Sequence, residues 1–203
     1  DNYRKILNEM PVYSNPSSAL ATCWPGNLSN WMEIGFREEN QPKRLFPIHE
    51  KYNILQHGCG GMNHLCPDLT IGLALGWKGL LEKVIYYKER NTHGDASFYE
   101  GEEQLLLGVL EWIRRHVDYT RKLAEEAAKE ERRIHYTQVA DCNEWLLDNP
   151  PRTLREALQF TAHFQCIDRM YYAGGALGQI DELFRPYYET DKESFGLTDE
   201  EAV

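Results

Sequence analysis

The feature that most constrains this chain is the run from Asn149 to Glu189, NPPRTLREALQFTAHFQCIDRMYYAGGALGQIDELFRPYYE. Asn149-Pro150-Pro151 stops whatever precedes it, because proline lacks the amide that a helix interior needs. Thr153 and Glu156 then form a capping box: the threonine oxygen takes the Glu156 amide and the glutamate reaches back to the Thr153 amide. A helix therefore starts near Leu154. Its apolar positions, among them Leu154, Leu158, Phe160, Phe164, Ile167 and Tyr171, cover nearly every direction around the axis, and a helix apolar all round is a buried one. It breaks at Ala173-Gly174-Gly175-Ala176-Leu177-Gly178, where glycines permit positive φ or the close approach of another backbone. Such a loop fits the wall of a cavity and fits a tight structural turn equally well. A second short helix after it ends in the aromatic cluster around Tyr187 and Tyr188.

A second glycine-bearing stretch, ILQHGCGGMNHLCPD, spans residues 54–68. Pro67 and Asp68 mark the first turn of the helix that follows, where an acid suits the positive end of the dipole. That helix continues to about Lys88, with Gly72, Gly76 and Gly79 on one face. Each glycine costs about 1 kcal/mol against alanine, so the pattern predicts a backbone packed on that face and an internal helix. Residues 99–129 carry an amphipathic pattern, with Leu106, Val109, Ile113, Val117, Thr120 and Ala124 against a charged face. A further helix runs from about Glu131 to Leu147. Residues 1–48 are punctuated by prolines and show only short ordered pieces, with a brief helix over 27–36 and Val12, Trp24 and Trp31 as anchors. They read as an irregular surface-wrapping segment, and 49–203 as a helical one. Thr198 and Glu201 form another capping box two residues before Val203, so the sequence reads as cut from a longer one or completed by another chain.

Charge and composition exclude several classes. The formal net charge is -10 with scattered basic residues, so nucleic acid has no electrostatic footprint to bind. No apolar run approaches the roughly 20 residues of a membrane span, and the N-terminal residues lack the apolar centre of a signal peptide. Five cysteines without framework spacing fit a reducing, cytoplasmic setting. His57, Cys59, His64 and Cys66 could ligate metal, but each pair is separated by a single residue, which is awkward for a tetrahedral site; no metal is expected. His64, just ahead of a helix N-terminus, could meet an oxygen-bearing ligand, or be an ordinary hydrogen-bonded buried histidine. Asp181 and Glu182 could be an acid/base pair, yet neighbours on a helix point about 100° apart. Asp181 then reads as a cap or ion-pair partner, and Asp68 similarly.

In order and spacing, NPPRTLREALQF, the small-residue loop, GQIDELFRPYYETD and GLTDEEA resemble a segment of the pyruvate formate-lyase-like glycyl radical enzymes, whose form is PPRTF-x-EAL, GRFDQ, PYY or PFY, and LT-x-EEA. NHLCPDLTIGLALGWKGLLEKV is similar to the family's GH-x-x-PD segment. The resemblance covers roughly residues 45–203. It implies a mainly α fold with few or no strands, the helical portion of a β/α barrel. It also implies a formate acetyltransferase-type parent carrying a glycyl radical installed by a separate activating enzyme. Neither the RV-x-GY radical motif nor the family's catalytic-cysteine context occurs here, so no catalytic residue and no cofactor is expected in this chain. Its share would be scaffold and part of a small-molecule substrate pocket around His64, Asp68, Gly174, Gly178, Gln179 and Asp181. Gln179 stands where the family has arginine and Glu182 where it has glutamine. Ala173 and Gly174 stand where diol dehydratases carry a histidine-serine pair, which disfavours a polyol substrate. The expected partners are the remainder of the enzyme or a complementary chain, and further copies in a homo-oligomer. The alternative is a stand-alone helical binding or assembly protein derived from that family.

Overall fold

The computed structural model describes residues 2–21, 43–52, 66–91, 93–172 and 177–202. Among them, every regular element is a helix: α1 (Asn2–Glu9), a 3-10 turn (Lys43–Leu45), α2 (Phe46–Lys51), α3 (Leu69–Arg90), α4 (Ser97–Glu126), α5 (Glu130–Asp148), α6 (Leu154–Tyr172), α7 (Ile180–Phe195) and α8 (Asp199–Ala202). The chain divides into two compact units, one of residues 1–23, 68–163 and 179–203, the other of 24–67 and 164–178. The expected helix at 27–36, Trp24 and Trp31 lie outside the described residues. No described helix is long and apolar enough to cross a membrane.

The core of the first unit forms around α4. Leu106, Val109, Ile113, Val117, Thr120 and Ala124 are buried as the pattern requires, and with them Trp112 and His116, which complete the apolar stripe. α5 packs along this helix with Val139, Ala140 and Leu146 buried, and Ala157 and Phe160 of α6 are buried as well, Phe160 against Trp77 of α3. α1 packs on α4, held by Arg4 on the Glu111 carboxylate and by the Asn8 amide 2.8 Å from the same group. Arg115 donates to the carbonyls of Leu7 at 2.8 Å and Met10 at 2.7 Å, satisfying acceptors that the end of α1 leaves open.

Two expectations change. α3 is not internal: Leu69, Leu73, Gly76 and Trp77 are buried, while Ile71, Tyr86 and Tyr87 stand about half exposed. Its glycines also do different jobs. At Gly76 the helix is kinked, with φ 67 and ψ 175, because the Asn149–Pro150 backbone sits 2.8–2.9 Å from where a Cβ would be. Gly72 instead meets the Phe160 ring. Only Gly76 supports the idea of a packed backbone. The helix after the glycine loop, in turn, is not short. α7 runs through Pro186 to Phe195 and stops at left-handed Gly196, where the amides of Gly196 and Leu197 both return to the Asp191 carbonyl, that of Leu197 at 3.2 Å.

The Thr153–Glu156 box is present, with the Glu156 amide 3.2 Å from the threonine oxygen and the carboxylate accepting from the amides of Arg152 and Thr153. The next amide, Leu154, donates to the buried Asp191 carboxylate of α7 at 2.8 Å. Asp191→Ala leaves that amide unpaired and should cost about 1–3 kcal/mol; Asp191→Asn, which keeps an acceptor, should cost less. Urea denaturation of the two variants checks the order.

A polar cluster lies inside this core. The Asn143 amide donates to the Val139 carbonyl at 2.8 Å, and the Gln159 oxygen accepts from the Ala21 amide at 2.8 Å and from Asn143 at 3.2 Å. His163 Nε2 lies 2.9 Å from the Asn143 oxygen and 3.1 Å from the Gln159 amide nitrogen, and its ring is in contact with the Trp112 and His116 rings. Burial pushes the His116 imidazole down to about 4 and holds His163 well below 6.5. Both are thus neutral when folded, and the unfolded chain takes up protons first as the pH falls. The stability they contribute is full above about pH 6.5 and is lost as the pH falls toward 4, on the order of 3 kcal/mol for His116 alone. The Glu111 carboxyl, lowered from 4.5 chiefly by its Arg4 hydrogen bond, adds its loss only below that value. Melting curves between pH 7 and 5 therefore isolate the histidines, and a flat profile there contradicts the assignment.

Candidate functional site

The two glycine-bearing stretches are the natural place to look, and the second unit brings their ends together. Gly178 has φ +71, and a Cβ built on it would lie 3.5 Å from Cys66 Cβ and 3.6 Å from Cys66 Sγ. The bare α-carbon of Gly178 thus receives Cys66, an exposed thiol. A side chain at 178 would adopt a left-handed conformation that L-residues avoid, with its Cβ in ordinary van der Waals contact with the cysteine. His64, Gly174 and the rest of the 173–176 loop lie outside the described residues, as do His57 and Cys59.

Asp68 has a structural task. It is the N-cap of α3: its Oδ1 accepts from the Thr70 amide at 3.0 Å and from the Thr70 hydroxyl. These bonds hold its carboxyl below the usual carboxylate range, the hydroxyl bond contributing most. Pro67 precedes the helix instead of lying in its first turn.

Gln179 occupies the N-cap position of α7 without a capping side-chain bond, and its carbonyl accepts from Leu183 at 3.3 Å. Asp181 is therefore not the cap. It sits exposed in the first turn, where its charge suits the helix dipole, and it makes no ion pair among the described residues. Glu182 is engaged by Arg185, so the two acids do not act as a pair.

In the first unit, Asp181 borders a groove of about 530 Å³ whose floor is apolar: Leu154 and Leu158 of α6, and Ile180, Phe184 and Tyr188 of α7. Ala202 of α8 also borders it, and Lys192 ties α8 to α7 by donating to Asp199 at 2.7 Å and to the Tyr188 hydroxyl at 3.1 Å. The Thr198–Glu201 box completes that start, with bonds of 3.0 and 3.2 Å. The volume suits a small ligand or an inserted side chain.

Burial pushes the Cys142 thiol up to about 12, so it is held as an inert thiol. No group of three metal-ligating side chains occurs among the described residues. Sequence reasoning missed the Cys66–Gly178 contact and the Asp191 cap. Neither leaves a local signature, since each joins residues far apart in the chain.

With this geometry in view, comparison with known proteins gives a consistent result. Residues 53–203 match the family model described as pyruvate formate lyase-like. The glycyl radical subunit of 4-hydroxyphenylacetate decarboxylase from Clostridioides difficile is 26% identical over 178 residues, covering 82% of this chain and 19% of that protein. Isethionate sulfite-lyase from Bilophila wadsworthia is 33% identical over 98 residues, covering 47% of this chain and 12% of that protein. Among solved structures, a glycyl radical enzyme from Archaeoglobus fulgidus superposes with a TM-score of 0.81 at 18% identity, covering 98% of this chain and 33% of that one. The fold is thus a helical portion of the glycyl radical enzyme architecture. The chain spans about a fifth or less of the curated relatives' length and a third of the solved structure.

Proposed function

Given that the chain belongs to the pyruvate formate lyase-like family, we propose that it is the scaffold-bearing portion of a formate acetyltransferase-type glycyl radical enzyme, forming part of the substrate pocket without performing catalysis alone. One observation carries this reading. Nearly the whole chain superposes on a third of a solved glycyl radical enzyme, while its sequence contains no Arg-Val-x-Gly-Tyr in which the radical glycine would lie. This sequence thus lacks the motif that would hold the radical. The parent would carry the radical elsewhere, and its substrate would be a small molecule.

The pocket share is supported by the meeting of Cys66 with Gly178, because these residues terminate the two stretches whose motifs resemble the family's. His64 and Gly174 belong to the same proposal through their places in those stretches. Asp68 enters it as the cap that fixes the start of α3, and Gln179 and Asp181 as the first residues of α7. A side chain at 178 in place of glycine should therefore alter substrate binding in the parent enzyme.

The test is anaerobic activation followed by electron paramagnetic resonance. The intact gene product, treated with its activating enzyme, should show a glycyl radical signal, and the 203-residue chain alone should show none. A radical or turnover on the 203-residue chain by itself would overturn the proposal.

A further inference from the structure

The polar cluster in the core of the first unit reaches the N-terminal segment at a single point. Residues 11–21 run on from the end of α1, and among them Ser14 and Ala21 are the buried ones. Most of the hydrogen bonds in this segment are local: the Ser17 amide to Asn15 Oδ1 at 2.9 Å, the Ser18 amide to the Asn15 carbonyl at 3.1 Å and the Leu20 amide to the Ser18 hydroxyl at 3.2 Å. Among the described residues, the bond that ties the segment to the helices is the one from the Ala21 amide to the Gln159 oxygen, at 2.8 Å. The segment is thus a strap, fixed at Met10 by Arg115 and at Ala21 by Gln159.

The seat of Gln159 depends on His163. Because the Gln159 oxygen accepts from Ala21 and Asn143, its amide nitrogen is the atom that lies 3.1 Å from His163 Nε2. Because Asn143 Nδ2 donates to the Val139 carbonyl, the Asn143 oxygen is the atom 2.9 Å from the same Nε2. His163 Nε2 therefore faces a donor and an acceptor together. A neutral imidazole carries its proton on either nitrogen and serves one of the two. The protonated ring has no such choice: Nε2–H is set against the Gln159 amide hydrogens, and Nδ1, which has no hydrogen-bond partner, gains a proton with no acceptor. Ala21, Asn143, Gln159 and His163 are all fully buried, so water does not relieve the conflict. The titratable group that faces the ring is His116 of α4, which opposes a second positive charge. α5 presents Asn143 and the strap presents the Ala21 backbone, neither of them charged.

We propose that His163 is a proton-operated latch for the N-terminal strap: the neutral ring seats Gln159, which holds Ala21, and protonation unseats Gln159 and frees residues 11–21 while α4 and α5 stay folded. With the strap closed, burial holds His163 well below its ordinary 6.5. With the strap lifted, water reaches the ring and it titrates near that ordinary value. Opening then takes up one proton below about pH 6.5 and none above it, so the strap is secure above that pH and loosens as the pH falls. Global unfolding also exposes His116 and takes up a proton there, which gives it a steeper dependence. This inference concerns a conformational switch and stands independently of the proposed function.

The test is hydrogen–deuterium exchange of the intact gene product, read by mass spectrometry over peptides from residues 11–21, α4 and α5 between pH 7 and 5. Corrected for intrinsic exchange, opening of the strap should be constant above about pH 6.5 and rise by up to about tenfold per pH unit below it, the limit for one proton. The α4 and α5 peptides should keep their protection. His163→Gln, which keeps an uncharged polar side chain, should abolish the slope. If that variant does not fold, Gln159→Met, which removes the acceptor at similar volume, should leave the strap as open at pH 7 as at pH 5. Strap exchange that is the same at pH 7 and 5 overturns the proposal. So does exchange that rises only in step with α4 and α5, that keeps its slope in His163→Gln, or that stays protected in Gln159→Met.

Discussion

Gly76→Ala is expected to destabilise the protein by about 3 kcal/mol or more. Two costs combine at this position. With φ 67 and ψ 175, Gly76 occupies a region of backbone space that is essentially closed to residues with a Cβ. The added methyl would also stand 2.8 Å from the Asn149 carbonyl oxygen and 2.9 Å from Pro150 N. Those are backbone atoms of the turn between α5 and α6, and they cannot swing aside as a flexible side chain could. Either α3 straightens and leaves the turn, or the turn moves and disturbs the start of α6. Gly101→Ala in α4 is the control: nothing lies within 4 Å of its added Cβ, so it should stabilise by up to about 1 kcal/mol through helix propensity alone. Denaturant midpoints of the two variants should move in opposite directions, and a neutral Gly76→Ala would remove the kink from the account.

Phe160→Ala should cost about 3–5 kcal/mol, the range for deleting a buried aromatic side chain. Phe160 is 1% exposed and stacks on Trp77 with ring centroids 4.5 Å apart and planes 26° apart. Its ring edge occupies the space above Gly72, where a Cβ would stand 2.7 Å from Cζ and 2.8 Å from Cε1. Gly72→Ala is therefore destabilising too, because the ring is held by Trp77 and cannot retreat. Once the ring is gone, the same methyl enters the cavity left behind. The double variant should be less destabilised than the sum of the singles, with a coupling of about 0.5–3 kcal/mol. Additive effects would show that positions 72 and 160 do not share one packing site.

Much of this architecture can be read from local chemistry. The starts of α6 and α8 lie where their threonine-glutamate boxes put them, and the core face of α4 follows its apolar spacing. These features depend on residues three or four apart, which a sequence displays directly. What it does not display are relations between distant residues. The kink at Gly76 exists because Asn149 and Pro150 arrive there, and Leu154 is capped by Asp191 from 37 residues away. The persistence of α7 through Pro186 is similar in kind. Proline removes one amide bond, while Phe184 is buried and the Gly196 cap closes the far end, so packing and capping outweigh the local signal. α3 reads as internal because three glycines suggest close packing along one face, yet close backbone contact occurs at Gly76 alone.

The candidate site was legible in part. The glycine-bearing stretches identify where the chain could approach a ligand, and the meeting of Cys66 with Gly178 follows from neither stretch taken alone. Asp68 is chemically committed to Thr70, and Glu182 to Arg185. That leaves Gln179 and Asp181 as polar side chains near the start of α7 that make no side-chain hydrogen bond or ion pair among the described residues.

The proposal at stake is that this chain supplies scaffold and pocket wall to an enzyme whose radical glycine lies in a further part of the same polypeptide. The most direct measurement is to sequence the encoding DNA beyond the codon for Val203. The account predicts an open reading frame that continues and encodes Arg-Val-x-Gly-Tyr within several hundred codons, in frame with the residues described. A stop codon immediately after Val203 would contradict it and would favour a stand-alone helical protein that binds or assembles without catalysis.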